Sequence, residues 1–398
     1  MEIENFSSKI CIENLIKVYG EQPSLALRMF REGETREAIL KATGQVLGIA
    51  DVSLTISPGE LFVIIGLSGS GKSTLVRCFN RLVEPTSGRI YIDDENIVRA
   101  SDRRMRELRL KKISMVFQQF GLLPHKTILE NVEYGLKIAG ISEKKRRQKA
   151  FPCLETVGLS QWSDYFPANL SGGMKQRVGL ARALATDADI LLMDEPFSAL
   201  DPLIRRQMQE ELLQLQTRLN KTIVFISHDI QEALKLGDRI AVMKEGCIVQ
   251  VGTPEEIITQ PANDYVRAFI QDINYAKVLK VSTIVRREVP FILDRETTQT
   301  ALKKMQHHNI RYMYVVDDRH QPIGILNQQH LQQINSDRFN LSQVMETNFS
   351  QVKLTVTLDT LFPLFKSDLP IAVVDTDGKF AGVVEVCDLF ARLSQNEQ

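Results

Sequence analysis

The sequence predicts an α/β domain on a largely parallel sheet, followed by a smaller α+β module made of two copies of one unit. Three observations predict it. Short apolar runs recur at 61–65 (LFVII), 189–194 (DILLMD) and 222–227 (TIVFIS). Runs of that length suit strands buried on both faces, as in parallel sheets covered by helices. Helical patterns alternate with such runs through residues 1–19 and 45–275. From about residue 278 the pattern changes and repeats: Val315, Val316, Asp317, Gly324 and Leu331 match Val373, Val374, Asp375, Gly382 and Leu389, all at an offset of 58 residues. A constant, ungapped offset marks an internal duplication.

Individual elements follow from local chemistry. After the turn at Gly66, Leu75, Cys78, Phe79 and Leu82 recur at helical spacing. Asp201 suits an N-cap and Pro202 a first helical position; behind them Met208, Leu212, Leu215 and Leu219 form one apolar stripe. The segment 239–251 reads as a hairpin turning near Gly246. Residues 21–44 interrupt the first strand region as two short helices parted near Gly33, with Thr35 as an N-cap. Pro152, inside a helical pattern, is placed to bend or start a helix. Each duplicated copy is expected to be a helix, two strands and a helix, the copies burying their apolar faces on each other.

Composition narrows the function classes. Lys plus Arg and Asp plus Glu both number 49, so bulk charge favours neither nucleic acid nor an anionic surface as partner. The longest apolar run, Leu61 to Leu67, is strand-sized, far short of the ~20 residues of a membrane span. The start, MEIENFSSKI, is acidic and polar, unlike a signal peptide. If the protein works at a membrane, another chain supplies the spans. The five cysteines are scattered without a CxxC pair, which reads as free thiols in a reducing compartment.

The chemistry begins at GLSGSGKST: Gly66, Leu67, Ser68, Gly69, Ser70, Gly71, Lys72, Ser73 and Thr74. The string fits GxxxxGK[ST] after an apolar strand and before a helix, the context a phosphate-binding loop needs. Glycines let backbone N–H groups curl around phosphate oxygens, and the helix N-terminus favours negative charge. Lys72 is expected to reach the β- and γ-phosphates of a nucleoside triphosphate, and Ser73 to offer its hydroxyl to Mg²⁺. The run ILLMDE delivers Asp194 and Glu195 to one sheet edge. Asp194 is the candidate Mg²⁺ ligand, and Glu195 the candidate general base for the attacking water.

LSGGMKQR, Leu170 to Arg177, lies about a hundred residues after the loop and just before that strand. It resembles the signature of ABC ATPases, a P-loop NTPase fold with a helical subdomain, here about 118–180. The resemblance covers roughly 9–255, with 21–44 as a departure. It implies that each ATP lies between one subunit's phosphate loop and Ser171, Gly172 and Gly173 of the other, in a head-to-tail homodimer. It also implies that Gln118, in MVFQQ, is the Q-loop glutamine that senses Mg²⁺ and the transport partner. Ser198 to Asp201 (SALD) resembles the D-loop, His228 in ISHD the switch histidine at the γ-phosphate, and Tyr19 in KVYG the aromatic that stacks on adenine.

The insert before VLGIADVSLTISPGE, with RCFNRLVEPTSGRIYIDD, MVFQQFGLLPHKTILENVEYGL and DEPFSALDPLIRRQMQEELL, is similar to the ATPases of glycine betaine/proline importers. That extends the resemblance over nearly the whole chain: an ATPase domain at 1–275 and CBS domains at 278–336 and 337–394. It implies a peripheral protein on the cytoplasmic face of the membrane, with an integral membrane permease, an extracytoplasmic solute-binding protein and no nucleic acid. Import, its direction and a quaternary-amine cargo all rest on the resemblance. The alternatives are an importer ATPase for another small solute, or a soluble ABC ATPase acting on nucleic acid or ribosomes; the second commonly has two nucleotide domains or long coiled coils. In CBS repeats that bind nucleotides, G-h-x-[ST]-x-x-D ends each copy, its Asp holding ribose. Here Gly324 is followed by Asn327 and His330, and Gly382 by Glu385 and Asp388; only Asp388 keeps the carboxylate. A nucleotide ligand and a structural or ionic-strength role both stay open. The tail SQNEQ carries one acidic residue, so no strongly anionic C-terminal sensor is visible.

Overall fold

The computed structural model describes residues 8–118, 121–198, 200–271, 273–333, 339–365 and 369–394. Ala199 of the SALD motif and residues 395–398 of the tail lie outside them. The chain divides into two compact units, Met1–Gln271 and Asp272–Gln398.

The first unit is built on two sheets. Strands β1 (Ile10–Tyr19), β2 (Val46–Ile56), β4 (Ser87–Ile92) and β5 (Glu95–Asn96) make an antiparallel sheet in the order β2-β1-β4-β5. The second sheet runs β10-β9-β3-β8-β7-β6, with β3 (Leu61–Ile65), β6 (Ile113–Val116), β7 (Ile190–Asp194), β8 (Thr222–Ile226), β9 (Arg239–Lys244) and β10 (Cys247–Gly252). All its pairings are parallel except the β9–β10 hairpin. The three apolar runs are β3, β7 and β8, and every residue in them is buried. Burying a Leu, Ile or Val of this kind stabilises by roughly 1.5–3 kcal/mol. The core links the two sheets: Ile12, Val52 and Ile90 pack with Phe62, Ile64, Leu192 and Val224, and with Leu75 and Phe79 of α3 (Lys72–Phe79).

The insert forms α1 (Pro23–Arg31) and α2 (Arg36–Thr43), with Thr35 Oγ1 accepting from Ala38 N at 3.2 Å. Ala26 and Ile39 pack with Val18 and Leu47 of β1 and β2. Helix α4 (Asp102–Lys111) leads into β6, and α5 (Ile128–Ile138), α6 (Glu143–Thr156) and α7 (Gly172–Ala185) pack on one another. Helices α8 (Pro202–Leu219), α9 (Ile230–Leu236), α10 (Pro254–Thr259) and α11 (Asp264–Ile270) complete the unit. Asp201 caps α8, accepting from Leu203 N and Ile204 N at 3.1 Å each.

Three local expectations need correction. Leu82 lies beyond α3 and Leu219 ends α8; both are exposed, at 50% and 40%, because the apolar stripe needs cover only as far as the neighbouring element extends. Of the two roles expected for Pro152, it does not start a helix: it sits inside α6, four residues before the C-terminus. A proline there removes one backbone donor near the helix end, where the remaining turn still closes.

The second unit contains two three-stranded sheets, β11-β12-β13 and β14-β15-β16. They comprise β11 (Phe291–Leu293), β12 (Tyr312–Val316), β13 (Pro322–Asn327), β14 (Gln351–Lys353), β15 (Ile371–Val374) and β16 (Phe380–Val384). The duplication is reproduced in the register: Val315 faces Gly324 as Val373 faces Gly382. Each copy has a further strand, β11 or β14, paired in parallel, which the expected pattern lacked. Helices α12 (Thr298–His307), α13 (Gln328–Gln333), α14 (Leu341–Val344) and α15 (Val386–Ser394) cover the sheets. The second copy's leading helix is replaced by a 3₁₀ segment, Leu358–Leu364, containing Pro363. Tyr314, Ile325, Ala372 and Val383 join the copies, and Tyr314 Oη donates to Pro370 O at 2.6 Å.

Candidate active site

The glycine-rich loop leaves β3 at Gly66 and enters α3 at Lys72. Gly71 has φ +101°, and a Cβ there would meet Gly48 O at 2.5 Å, so only glycine fits. Leu67, Ser68 and Gly69 are exposed, while Ser70 and Lys72 are buried. The Lys72 ammonium donates to Gly66 O at 2.7 Å and Leu67 O at 3.0 Å, folding the loop around its own lysine. Burial lowers its pKa, against the opposing pull of Glu195 and Asp194. Ser70 Oγ is buried without a hydrogen-bond partner. A buried, unpaired hydroxyl in a loop of this shape is what an anionic ligand would satisfy.

Asp194 ends β7 with its side chain fully buried. Its Oδ1 accepts from Ser73 Oγ at 2.7 Å and its Oδ2 from Arg77 at 3.0 Å. Ser73 and Arg77 are four apart on α3 and so share the face that meets the strand end. Sequence reasoning missed Arg77; that spacing from Ser73 was the available signal. The hydroxyl–carboxylate pair is a set of hard oxygen donors that fits Mg²⁺.

Glu195 follows in the left-handed region, φ +47°. A non-glycine residue there carries strain, which persists where surrounding contacts over-determine it. Those contacts are present: Ser198 Oγ donates to Glu195 O at 3.0 Å, and Gln176 Nε2 reaches the same oxygen at 3.4 Å. Gln118 Nε2 donates to Glu195 Oε2 at 3.1 Å, and His228 Nδ1 stands 3.5 Å from that atom. One carboxylate oxygen therefore gathers the ends of three strands, β6, β7 and β8.

Tyr19 lies beside the same loop. Its hydroxyl is 3.1 Å from Thr74 Oγ1, and the Lys17 ammonium sits 5.0 Å above its ring. Tyr19 is 39% exposed.

Ser171 caps α7, its Oγ accepting from Met174 N at 3.3 Å, and Gly172 and Gly173 form the first turn. A Cβ at Gly173 would lie 2.8 Å from Leu200 Cδ2, which accounts for the small residue. Ser171 and Gly172 are exposed. The structure thus brings together the loop, Asp194, Glu195, Gln118 and His228, while the signature presents a second, separate helix N-terminus; Asp201 serves its own helix.

The comparisons agree with this geometry. The ABC transporter family model matches residues 49–198 and the CBS domain model residues 281–334. The chain is 46% identical to the glycine betaine transport ATP-binding protein OpuAA of Bacillus subtilis, over 100% of this chain and 95% of that one. It is also 46% identical to the glycine betaine/proline betaine transport system ATP-binding protein ProV of Salmonella typhimurium, over 94% and 95%. Among solved structures, a dimeric ATP-binding cassette in a post-hydrolysis state with ADP and Pi matches at TM-score 0.53 and 34% identity, covering 62% of this chain and 98% of that one. Among the described residues, no helix is long and apolar enough to cross a membrane. With a phosphate loop, a Walker-type carboxylate pair and a signature helix in their expected places, the chain belongs to the family of ABC transporter ATP-binding subunits, in the glycine betaine transport group.

Proposed function

We propose that two copies of this chain, docked on an integral membrane permease, hydrolyse ATP to drive uptake of glycine betaine or a closely related quaternary amine delivered by an extracytoplasmic solute-binding protein. The observation that carries the reading is the convergence on Glu195. Its carboxylate is strained into place at a strand end, beside Gln118 and His228 and next to the Ser73–Asp194 pair.

In this reading Lys72 leaves the loop carbonyls of Gly66 and Leu67 for the β- and γ-phosphates. Tyr19 stacks on adenine. Ser73 and Asp194 hold Mg²⁺, with Gln118 completing its surroundings; when bound, the ion neutralises charge at the triphosphate. Glu195 orients and deprotonates the attacking water, and His228 donates toward the transferred phosphoryl group. The exposed Ser171 and its helix N-terminus supply anion-binding N–H groups to the ATP of the opposite copy. Closing the pair over two nucleotides is the stroke delivered to the permease.

Glu195→Gln tests this. Expected is a stable, ATP-loaded dimer, visible by size exclusion, with turnover down on the order of a hundredfold or more. Unchanged turnover would remove Glu195 from its role. Uptake of labelled betaine by cells with and without the gene tests the cargo, since this subunit does not touch it.

For the C-terminal unit we propose two CBS domains that regulate transport rather than catalyse. The cavity between the copies, about 690 Å³, is lined by Arg286, Arg287, Arg311 and His308 among others. Asp388, the one carboxylate kept from the nucleotide-binding pattern, accepts from Arg286 at 2.8 Å. This favours regulation without a ribose held in the usual way. Deleting residues 280–398 should alter the salt dependence of transport and spare basal hydrolysis; identical salt profiles would reduce the module to a dimer clamp.

A further inference from the structure

A buried polar chain in the N-terminal unit lies outside the contacts assigned above. Glu232, 8% exposed, stands in the first turn of α9. One carboxylate oxygen accepts from Ser227 Oγ at 2.5 Å and the other from Gln209 Nε2 at 3.0 Å. Ser227 Oγ in turn accepts from Asp229 N at 2.9 Å. One hydroxyl thereby ties together the residues on either side of His228.

Gln209 and Arg205 are four apart on α8 and share a face. Arg205 donates to Leu200 O at 3.3 Å and stands 3.8 Å from the Asp229 carboxylate. Gln209 Oε1 accepts from Lys235 Nζ at 3.1 Å. The helix that begins at Asp201 is thus joined at two successive turns to the segment carrying His228.

A buried carboxylate is a poor means of gaining stability, because desolvation opposes it and an apolar residue of similar volume avoids that cost. Burial pushes the Glu232 pKa up, and the bonds from Ser227 and Gln209 only partly oppose it. What the carboxylate supplies is two fixed acceptors set between a helix and a loop.

We propose that Glu232 is a positioning residue that, with Gln209, forms a strut between α8 and residues 227–229 and sets His228 against Glu195. The proposal rests on the reading of His228 as a participant in hydrolysis.

The test is a double-mutant cycle in the full transporter, with kcat, KM for ATP and binding of a fluorescent ATP analogue measured for each variant. Glu232→Ala and Gln209→Ala should each lower kcat by roughly tenfold to a hundredfold, the scale of misplacing a group in a reacting constellation. KM and analogue affinity should stay within about twofold. Glu232→Gln, which keeps the shape and one acceptor, should recover part of the loss and serves where the alanine variant does not fold. In a His228→Ala background none of the three should lower kcat further. Equal fold-losses in both backgrounds, a KM that rises as kcat falls, or unaltered kcat in Gln209→Ala and Glu232→Gln would each overturn the strut. His228→Ala alone, compared with wild type, tests the underlying reading: full activity there sinks that reading, independently of the cycle.

Discussion

Two carboxylates, one in each unit, are each held by an arginine near a strand end, and they differ in what holds the second oxygen. Asp194 accepts from Arg77 on one oxygen and from the Ser73 hydroxyl on the other. Asp388 accepts from Arg286 on one and from the Glu385 N–H of its own turn on the other. A hydroxyl is a rotor that can exchange partners, and Ser73 opens a helix at the mouth of the loop. A backbone N–H within the same turn has no such freedom. The arginines are alike, 42% exposed for Arg77 and 46% for Arg286, but the Asp194 side chain is fully buried whereas that of Asp388 is 15% exposed. The difference sets apart a carboxylate oxygen whose partner is an exchangeable hydroxyl in a shielded, shaped loop, as a ligand site would need, from one held by the backbone of its own turn.

The strongest way to break this comparison is Asp194→Asn. The amide keeps the shape but offers one acceptor and no charge. If the oxygen facing Ser73 is the metal oxygen, Mg²⁺-dependent turnover should fall by about a hundredfold or more, equivalent to roughly 3 kcal/mol of lost transition-state stabilisation. Steady-state hydrolysis over a Mg²⁺ titration measures it. A variant within threefold of wild type at saturating Mg²⁺ would make Asp194 a packing residue like any other buried strand end.

Much of this site was legible because its signals are local. Strands β3 and β7 are continuous apolar runs, and Gly66–Thr74 and Asp194–Glu195 follow them directly. The N-cap at Asp201, the hairpin turn at Gly246 and the paired helices of the insert were likewise carried by short-range chemistry. Arg77, the second partner of Asp194, was harder: its one local signal is the four-residue spacing from Ser73, and the packing of α3 against β7 is what brings it to the carboxylate. Strands β11 and β14 went unread because three residues show no periodicity, and QVK carries a single apolar side chain. Their pairing is set by the neighbouring strand, a tertiary effect. Gln176 lies within α7, and its reach to Glu195 O depends on how that helix packs, which no local signal shows.

A second test sharpens the comparison inside the C-terminal unit, where the built polar contact is not Asp388 but Tyr314. That phenol is 1% exposed and donates to Pro370 O across the two copies. Burial pushes its pKa up, so it remains a donor throughout the ordinary pH range. Tyr314→Phe leaves the buried Pro370 carbonyl without this bond, and should destabilise the unit by about 1–3 kcal/mol. The guanidinium midpoint of the C-terminal transition in the full chain reads this, provided its slope is unchanged. A loss below about 0.5 kcal/mol would mean that the copies are joined by packing alone.

The smallest effect is expected at the other half of the comparison, Arg286→Ala. The guanidinium meets Asp388 at 2.8 Å and Glu385 at 3.0 Å, but nearly half of it and of Glu385 faces solvent. Exposed pairs of this kind contribute about 0–1 kcal/mol. The Arg286 main chain exchanges two hydrogen bonds with Val383, and the substitution leaves them in place. Asp388 keeps its bond from Glu385 N, so the freed carboxylate is still capped. The loss should therefore stay under about 1 kcal/mol and shrink with salt, since screening shortens from about 10 Å at 0.1 M to about 3 Å at 1 M. Unfolding of wild type and variant at low and high salt measures both features. A loss above about 2 kcal/mol that ignores salt would place this cluster on the same footing as the Asp194 cluster, and exposure would then no longer separate a solvated ion pair from a site.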